Sequence, residues 1–278
     1  MLNDLRELVR YRELLITLVA RDLKARYKRS VLGFFWSLLN PLVQIATLTV
    51  VFKMIMRYGP ANFGPFLFVA FLPWTFFQLA VMDASTAVPS NVRILKRVYF
   101  PREVLPLANI GANLIHFLMA MVVLFAYLAF WVGVSFSWQQ LLFLPLIVLL
   151  QTLLVTGLGL AVSCASVYYR DVHYLVTVGL SLLYWASCIF YPLYSYDQGG
   201  TVVKGLSDSP FWFVAWINPL VPLVTLYRQA ILTNAAVPDG GMGVEGQLLA
   251  RLAVFAVAML VGGYALFNWR KWEFPELT

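Results

Sequence analysis

"VLPLANIGANLIHFLMAMVVLFAYLAFWVGVSFSWQQLLFLPLIVLLQTLLVTGLGLAVSCASVYY" runs from Val104 to Tyr169 without a single Asp, Glu, Lys or Arg. A helix needs about 20 apolar residues to cross a bilayer core. The stretch is too long for one crossing, and its more polar middle, Gly133 to Gln140, divides it. It reads as two spans, about 107–131 and 141–166. Backbone groups in lipid must bond within the segment, so such spans are helical.

Working outward, "YYRDVH" (Tyr168–His173) is a short polar link, and Leu175 to Tyr194 forms a further span. On the other side, Pro89 to Pro106 is polar and basic. Before it come Phe34–Phe52, a turn at Tyr58-Gly59-Pro60, and Phe66–Val88 with Asp83 near its end. Arg251 to Trp269 brackets the last span. The composition agrees: of 278 residues 61% are hydrophobic and 12% charged, with mean hydropathy +0.78. Soluble domains are usually about 45–50% apolar and about 25% charged. The fold class is therefore an all-α polytopic membrane protein with six transmembrane helices, at about 34–52, 66–88, 107–131, 141–166, 175–194 and 251–269.

"SPFWFVAWINPLVPLVTLY" (Ser209–Tyr227) is apolar but carries Pro210, Pro219 and Pro222. Each proline removes a helix donor and clashes with the preceding turn. The segment 209–227 is expected to be a broken, re-entrant pair of short helices between the fifth and sixth spans. With the N-terminus inside, the outer side keeps Lys53, Arg57, Lys204, Arg228 and Arg251, while the other fifteen of the twenty cations lie inside. The positive-inside rule supports that orientation, with both termini cytoplasmic.

Residues 4–29 show helical periodicity. Arg10, Thr17, Arg21, Lys24 and Lys28 share one face; Leu5, Leu8, Val9, Leu15, Ile16, Val19, Leu23 and Tyr27 share the other. This predicts a basic amphipathic helix in residues 1–30, lying in the inner interface against anionic headgroups, followed by the membrane domain 31–278. Five cations at the bilayer centre would cost roughly 2.5–3.5 kcal/mol each, so it is not a span. Arg12 and Arg26 project onto the apolar face. Either they snorkel, or Arg26 grips a headgroup phosphate, as a guanidinium does bidentately.

No G-x-x-x-x-G-K-[ST] or G-x-S-x-G occurs, and no His, Cys or acidic cluster has metal-ligand spacing. No metal is expected, nor a catalytic residue. Cys164 and Cys188 fit no disulfide framework. The first thirty residues are too charged for a signal peptide. Asp83 and His116 are the main ionisable groups within spans, either tying helices together or lying on a pathway.

Four stretches carry a family resemblance: "YKRSVLGFFWSLLNPL" (Tyr27–Leu42), "RILKRVYFPREVLPLANIGANLIHFL" (Arg93–Leu118), "SVYYRDVHYL" (Ser166–Leu175) and "INPLVPLVTLYRQAIL" (Ile217–Leu232). In matching order they resemble the type-2 ABC exporter permeases that export O-antigen, capsule and teichoic-acid polymers. The resemblance implies the transmembrane subunit of an ATP-driven exporter of lipid-linked polysaccharide in the bacterial inner membrane. It implies a homodimer with two separate ATP-binding cassette subunits, which carry ATP and Mg, and no cofactor in this chain. Membrane lipids are expected partners and nucleic acid is not. A permease for a small drug or lipid, a membrane enzyme acting on polyprenyl-phosphate sugars and a secondary carrier are the competing readings.

By resemblance, 91–106 is a coupling segment, with Arg93, Lys96, Arg97, Tyr99, Arg102 and Glu103 as ATPase contacts and Arg170 and Asp171 as a second group. The expected headgroup site is Arg26, Lys28 and Arg29. The first and fifth spans line the pore in these families, which makes Trp36, Tyr184, Trp185, Phe190, Tyr191 and Tyr194, with Trp212 and Trp216 on the broken segment, candidate sugar contacts. Aromatic faces stack on sugar C–H faces without fixed charge. An interfacial aromatic belt is the alternative, which mid-span Tyr184 and Trp185 fit least.

Overall fold

A computed structural model describes residues 10–27, 35–55, 62–92, 100–193, 195–196, 202–203, 212–232 and 243–273. In chain order the helices are α1 (Arg12–Tyr27), α2 (Phe35–Thr49, extended by a π-helical turn Val50–Ile55), α3 (Phe63–Ala87), α4 (Val104–Tyr127, extended by Leu128–Val132), α5 (Trp138–Leu141), α6 (Leu144–Tyr168), α7 (Val172–Ala186), α8 (Trp212–Ile217), α9 (Leu220–Ile231) and α10 (Gly246–Arg270). Single 3-10 turns follow α3 (Pro89–Asn91) and α10 (Lys271–Glu273). One two-residue antiparallel ladder, which the all-α reading did not anticipate, pairs Ser195 with Val203 and Tyr196 with Val202.

Four helical runs are long and apolar enough to cross a bilayer: α3, α4 with its extension, α5–α6 and α10. The apolar run Leu42–Ile55 in α2, α7 and α9 are shorter. The expected boundaries shift accordingly. Val104, Leu105 and Pro106, assigned from sequence to the coupling segment, form the buried first turn of α4, where a proline costs no ladder bond. The last helix, α10, starts at Gly246, five residues before the expected Arg251. The helix over the expected fifth span ends at Ala186, not Tyr194. At 1.5 Å per residue α7 rises about 22 Å, short of a hydrocarbon core of about 30 Å.

The helix α3 is central: 78% of its most apolar window is buried inside the protein, against 22–33% for the other three long helices. Lipid is as apolar as leucine, so membrane helices associate by close packing and interhelical hydrogen bonds. Both are present. Gly157 of α6 and Gly263 of α10 let the two backbones touch; a Cβ on Gly263 would sit 1.9 Å from the Gly157 carbonyl oxygen, and one on Gly157 2.2 Å from the Met259 backbone. The buried Gln151 amide donates to the Pro73 carbonyl (2.8 Å), and the Tyr227 hydroxyl donates to Gln151 Oε1 (2.7 Å). That chain joins α3, α6 and α9. After the extension of α4, Gly133 takes the left-handed conformation (φ 71°) that ends the helix.

The proline-rich stretch is broken as expected, at Asn218-Pro219 between α8 and α9. Asn218 accepts from the Leu220 N–H (2.9 Å) and donates to the Ala186 carbonyl (3.1 Å) and Ser187 Oγ (3.0 Å). Arg228, counted among the outer-side cations, is fully buried. It donates to the Ile189 carbonyl (2.8 Å) and stacks 3.4 Å over the Phe66 ring. These contacts, with Cys188 at φ 56°, turn the chain sharply after α7. That is why Phe190 and Tyr191 follow the helix instead of lying on it.

Candidate functional site

α1 packs on α4 and the end of α3 through Tyr11, Leu14, Leu15, Leu18 and Val19. The expected apolar face is thus rotated, and Ile16 is exposed. Positions 15, 19, 22 and 26 follow each other at helical spacing, so Leu15, Val19, Asp22 and Arg26 share the protein-facing stripe. The Arg26 position on the apolar face is thereby explained. Its guanidinium donates to Asp83 Oδ2 (2.8 Å) and Asn113 Oδ1 (2.9 Å). Asn113 also donates to the same Asp83 oxygen (2.8 Å) and to the Asn109 carbonyl (2.9 Å), while Asn109 Nδ2 reaches the Asp83 carbonyl (3.0 Å). Asp83 ties α1, α3 and α4 together. Sequence reading flagged Arg26 and Asp83 but missed Asn109 and Asn113, although their four-residue spacing on an apolar helix was visible.

Beside this triad lies a cleft of about 410 Å³ between α1, α3, the 3-10 turn and α4, bordered by Arg21, Asp22, Arg26, Asp83, Thr86, Ser90, Asn91 and Asn109 among others. Arg21 pairs with Asp22 (2.9 Å). His116 is buried one turn beyond Asn113 and borders a much smaller gap with Thr75 and Phe76. Lys28 and Arg29, the other expected headgroup cations, lie outside the described residues.

The expected pore aromatics separate. Tyr184 is half-buried against Trp74 (5.3 Å) and Phe71 (6.4 Å) of α3. Phe190 is buried, stacked on Trp185 and edge-on to Tyr184, each at 5.0 Å. Tyr191 is half-buried and donates to the Trp185 carbonyl (2.9 Å). Trp185, Trp212 and Trp216 are exposed. Trp216 also packs under the Arg251 guanidinium (4.4 Å), which donates to the Ala215 carbonyl (2.6 Å) at the end of α8. Trp36 lies in the first turn of α2, and Tyr194 is outside the described residues.

Of the expected coupling residues, Arg93, Lys96, Arg97 and Tyr99 lie outside the described residues. Arg102 is half-buried. Glu103 is turned inward: it is 2% exposed and pairs with Lys271 at 2.8 Å, joining the start of α4 to the end of α10. Arg170 and Asp171 are exposed in the α6–α7 turn. Among the described residues no group of His, Cys, Asp and Glu could hold a metal.

The ABC-2 type transporter family matches residues 13–232. The O-antigen export system permease protein RfbA of Myxococcus xanthus is 33% identical over 99% of both chains. A protein of the same name from Klebsiella pneumoniae is 28% identical over 95% of both. The polysialic acid transport protein KpsM of Escherichia coli is 27% identical over 91% of this chain and 92% of its own.

Proposed function

The chain belongs to the ABC-2 type transporter family, and from that premise we propose that it is the permease subunit of an ATP-driven exporter of lipid-linked polysaccharide. The observation that carries this is similarity to an O-antigen export permease at 33% identity over 99% of both chains. The four long apolar helices and the absence of a P-loop from the sequence support a membrane component whose ATPase is a separate chain.

In this reading two copies face each other, each contributing six crossings in the inner membrane, with α2 and α7 as the short first and fifth. Both termini are cytoplasmic, as the cation distribution favours. The segment from Asn91 to Arg102, with Arg170 and Asp171, meets the ATPase and passes its closure to α3 and α4. Glu103 supports that segment from inside through Lys271. Lys28 and Arg29 meet the phosphate of the lipid anchor, while Arg26, from the same expected group, stays on Asp83. The polymer then moves along exposed aromatics, of which Trp185, Trp212 and Trp216 have free faces.

The test is complementation. Cells lacking their own copy should regain surface polysaccharide when given this chain and its ATPase, and lose it again when the ATPase cannot hydrolyse ATP. Surface polymer that persists without this chain would exclude the reading.

A further inference from the structure

The cleft between α1, α3 and α4 has a chemistry that a phosphate site would not have. Among the described residues that border it, two arginines and two aspartates balance, and each is already paired within the chain, Arg21 with Asp22 and Arg26 with Asp83, at 2.8–2.9 Å. An anion entering it meets carboxylates as well as guanidinium groups. Its apolar wall is alanine: Ala25, Ala87 and Ala112. Among the described residues no aromatic or long aliphatic side chain borders it, so these walls offer neither a base nor an acyl chain a surface.

What the cleft does offer is alternating donors and acceptors. Guanidinium groups only donate and carboxylates only accept, whereas hydroxyls and amides do both. A carbinol O–H both donates and accepts, so adjacent hydroxyls on a ring match a guanidinium set beside a carboxylate. Thr86 and Ser90 are exposed on the α3 side. The second Asp22 carboxylate oxygen is buried and has no hydrogen-bond partner among the described residues. The volume of about 410 Å³ lies within the range of small-molecule sites, about 300–1,000 Å³.

We propose that this cleft binds uncharged sugar residues of the exported polymer, reading hydroxyl pattern beside α1. The inference rests on the polysaccharide reading above and adds a site to it. The anchor phosphate then belongs to Lys28 and Arg29, and the first sugars to the cleft.

The experiment uses the full chain with its ATPase in nanodiscs, and saturation-transfer NMR with glucose, galactose, mannose, rhamnose, N-acetylglucosamine and N-acetylgalactosamine as probes. At least one sugar is expected to bind saturably and to resist displacement by inorganic pyrophosphate. Asp22→Ala removes an acceptor, and Ser90→Trp fills the mouth while leaving both ion pairs intact. Each should weaken binding at least about tenfold, the scale of one charge-assisted hydrogen bond. No binding by any of the six, wild-type binding in both variants, or displacement by pyrophosphate overturns the proposal. In the complementation assay, failure of the wild-type chain removes the polysaccharide reading itself. Wild-type success with undiminished export by Ser90→Trp removes the cleft alone.

Discussion

Arg26 and Asp83 meet at 2.8 Å, across a gap of 57 positions in sequence, and Asn113 holds both. The pair is partly exposed, 30% and 38%, so solvent screening keeps its net contribution small. A double-mutant cycle over Arg26→Ala and Asp83→Ala should give a coupling of about 1 kcal/mol in detergent unfolding. Export should fall more in Arg26→Ala than that stability loss explains. Undiminished export by a normally assembled Arg26→Ala chain would remove Arg26 from the substrate path.

Glu103 and Lys271 are a different case. The carboxylate is 2% exposed and the ammonium group 12%. Lys271→Met strands a buried charge and should cost about 3–5 kcal/mol. Pairing it with Glu103→Leu should restore most of that loss. Equal stability of the single and double variants in an SDS titration would refute the buried pairing.

Glycine at 263 is required by backbone contact, and glycine at 262 is not: a Cβ there meets nothing within 4 Å. Gly263→Val should separate α6 from α10 and cost about 1–3 kcal/mol or more, as overpacking does. Gly262→Ala should be neutral or slightly stabilising. Folded yield on size-exclusion chromatography compares the two directly, and equal losses would contradict the crossing.

Glu273 links the end of α6 to the end of α10 through side chains. The Tyr168 hydroxyl donates to it at 2.6 Å, and Arg270 approaches at 3.1 Å. The hydroxyl first and the guanidinium second hold its carboxyl below the ordinary glutamate value. A lowered folded-state pKa gives stability that is present above the unfolded value and lost as pH falls through the folded one. The advantage of wild type over Glu273→Gln should therefore be full at neutral pH and vanish in acid. A pH-independent difference between the two melting curves would contradict this.

Much was legible in the chain. The uncharged run from Val104 to Tyr169 announced two helices because lipid tolerates no unpaired backbone. The three prolines between Ser209 and Tyr227 announced the break that appears at Asn218-Pro219. Arg26 was conspicuous on an otherwise apolar stripe, and Asp83 within a span. Less legible was the fifth span, where hydropathy continues past Ala186 while the helix stops. The stop is imposed by Asn218 and Arg228 from distant sequence, and hydropathy carries no record of a carbonyl captured by another helix.

The sequence by itself determined that this chain enters membranes and which family it resembles, because those follow from local composition and motif order. The tertiary structure decided what each polar group inside is for. It gave Arg26 a partner in Asp83, and turned Glu103 from an expected ATPase contact into a buried tie to Lys271. The reason is physical: in a low-dielectric interior a polar side chain is defined by whichever complementary group packing brings within about 3 Å, and that neighbour is set by helix crossings, not by spacing along the chain.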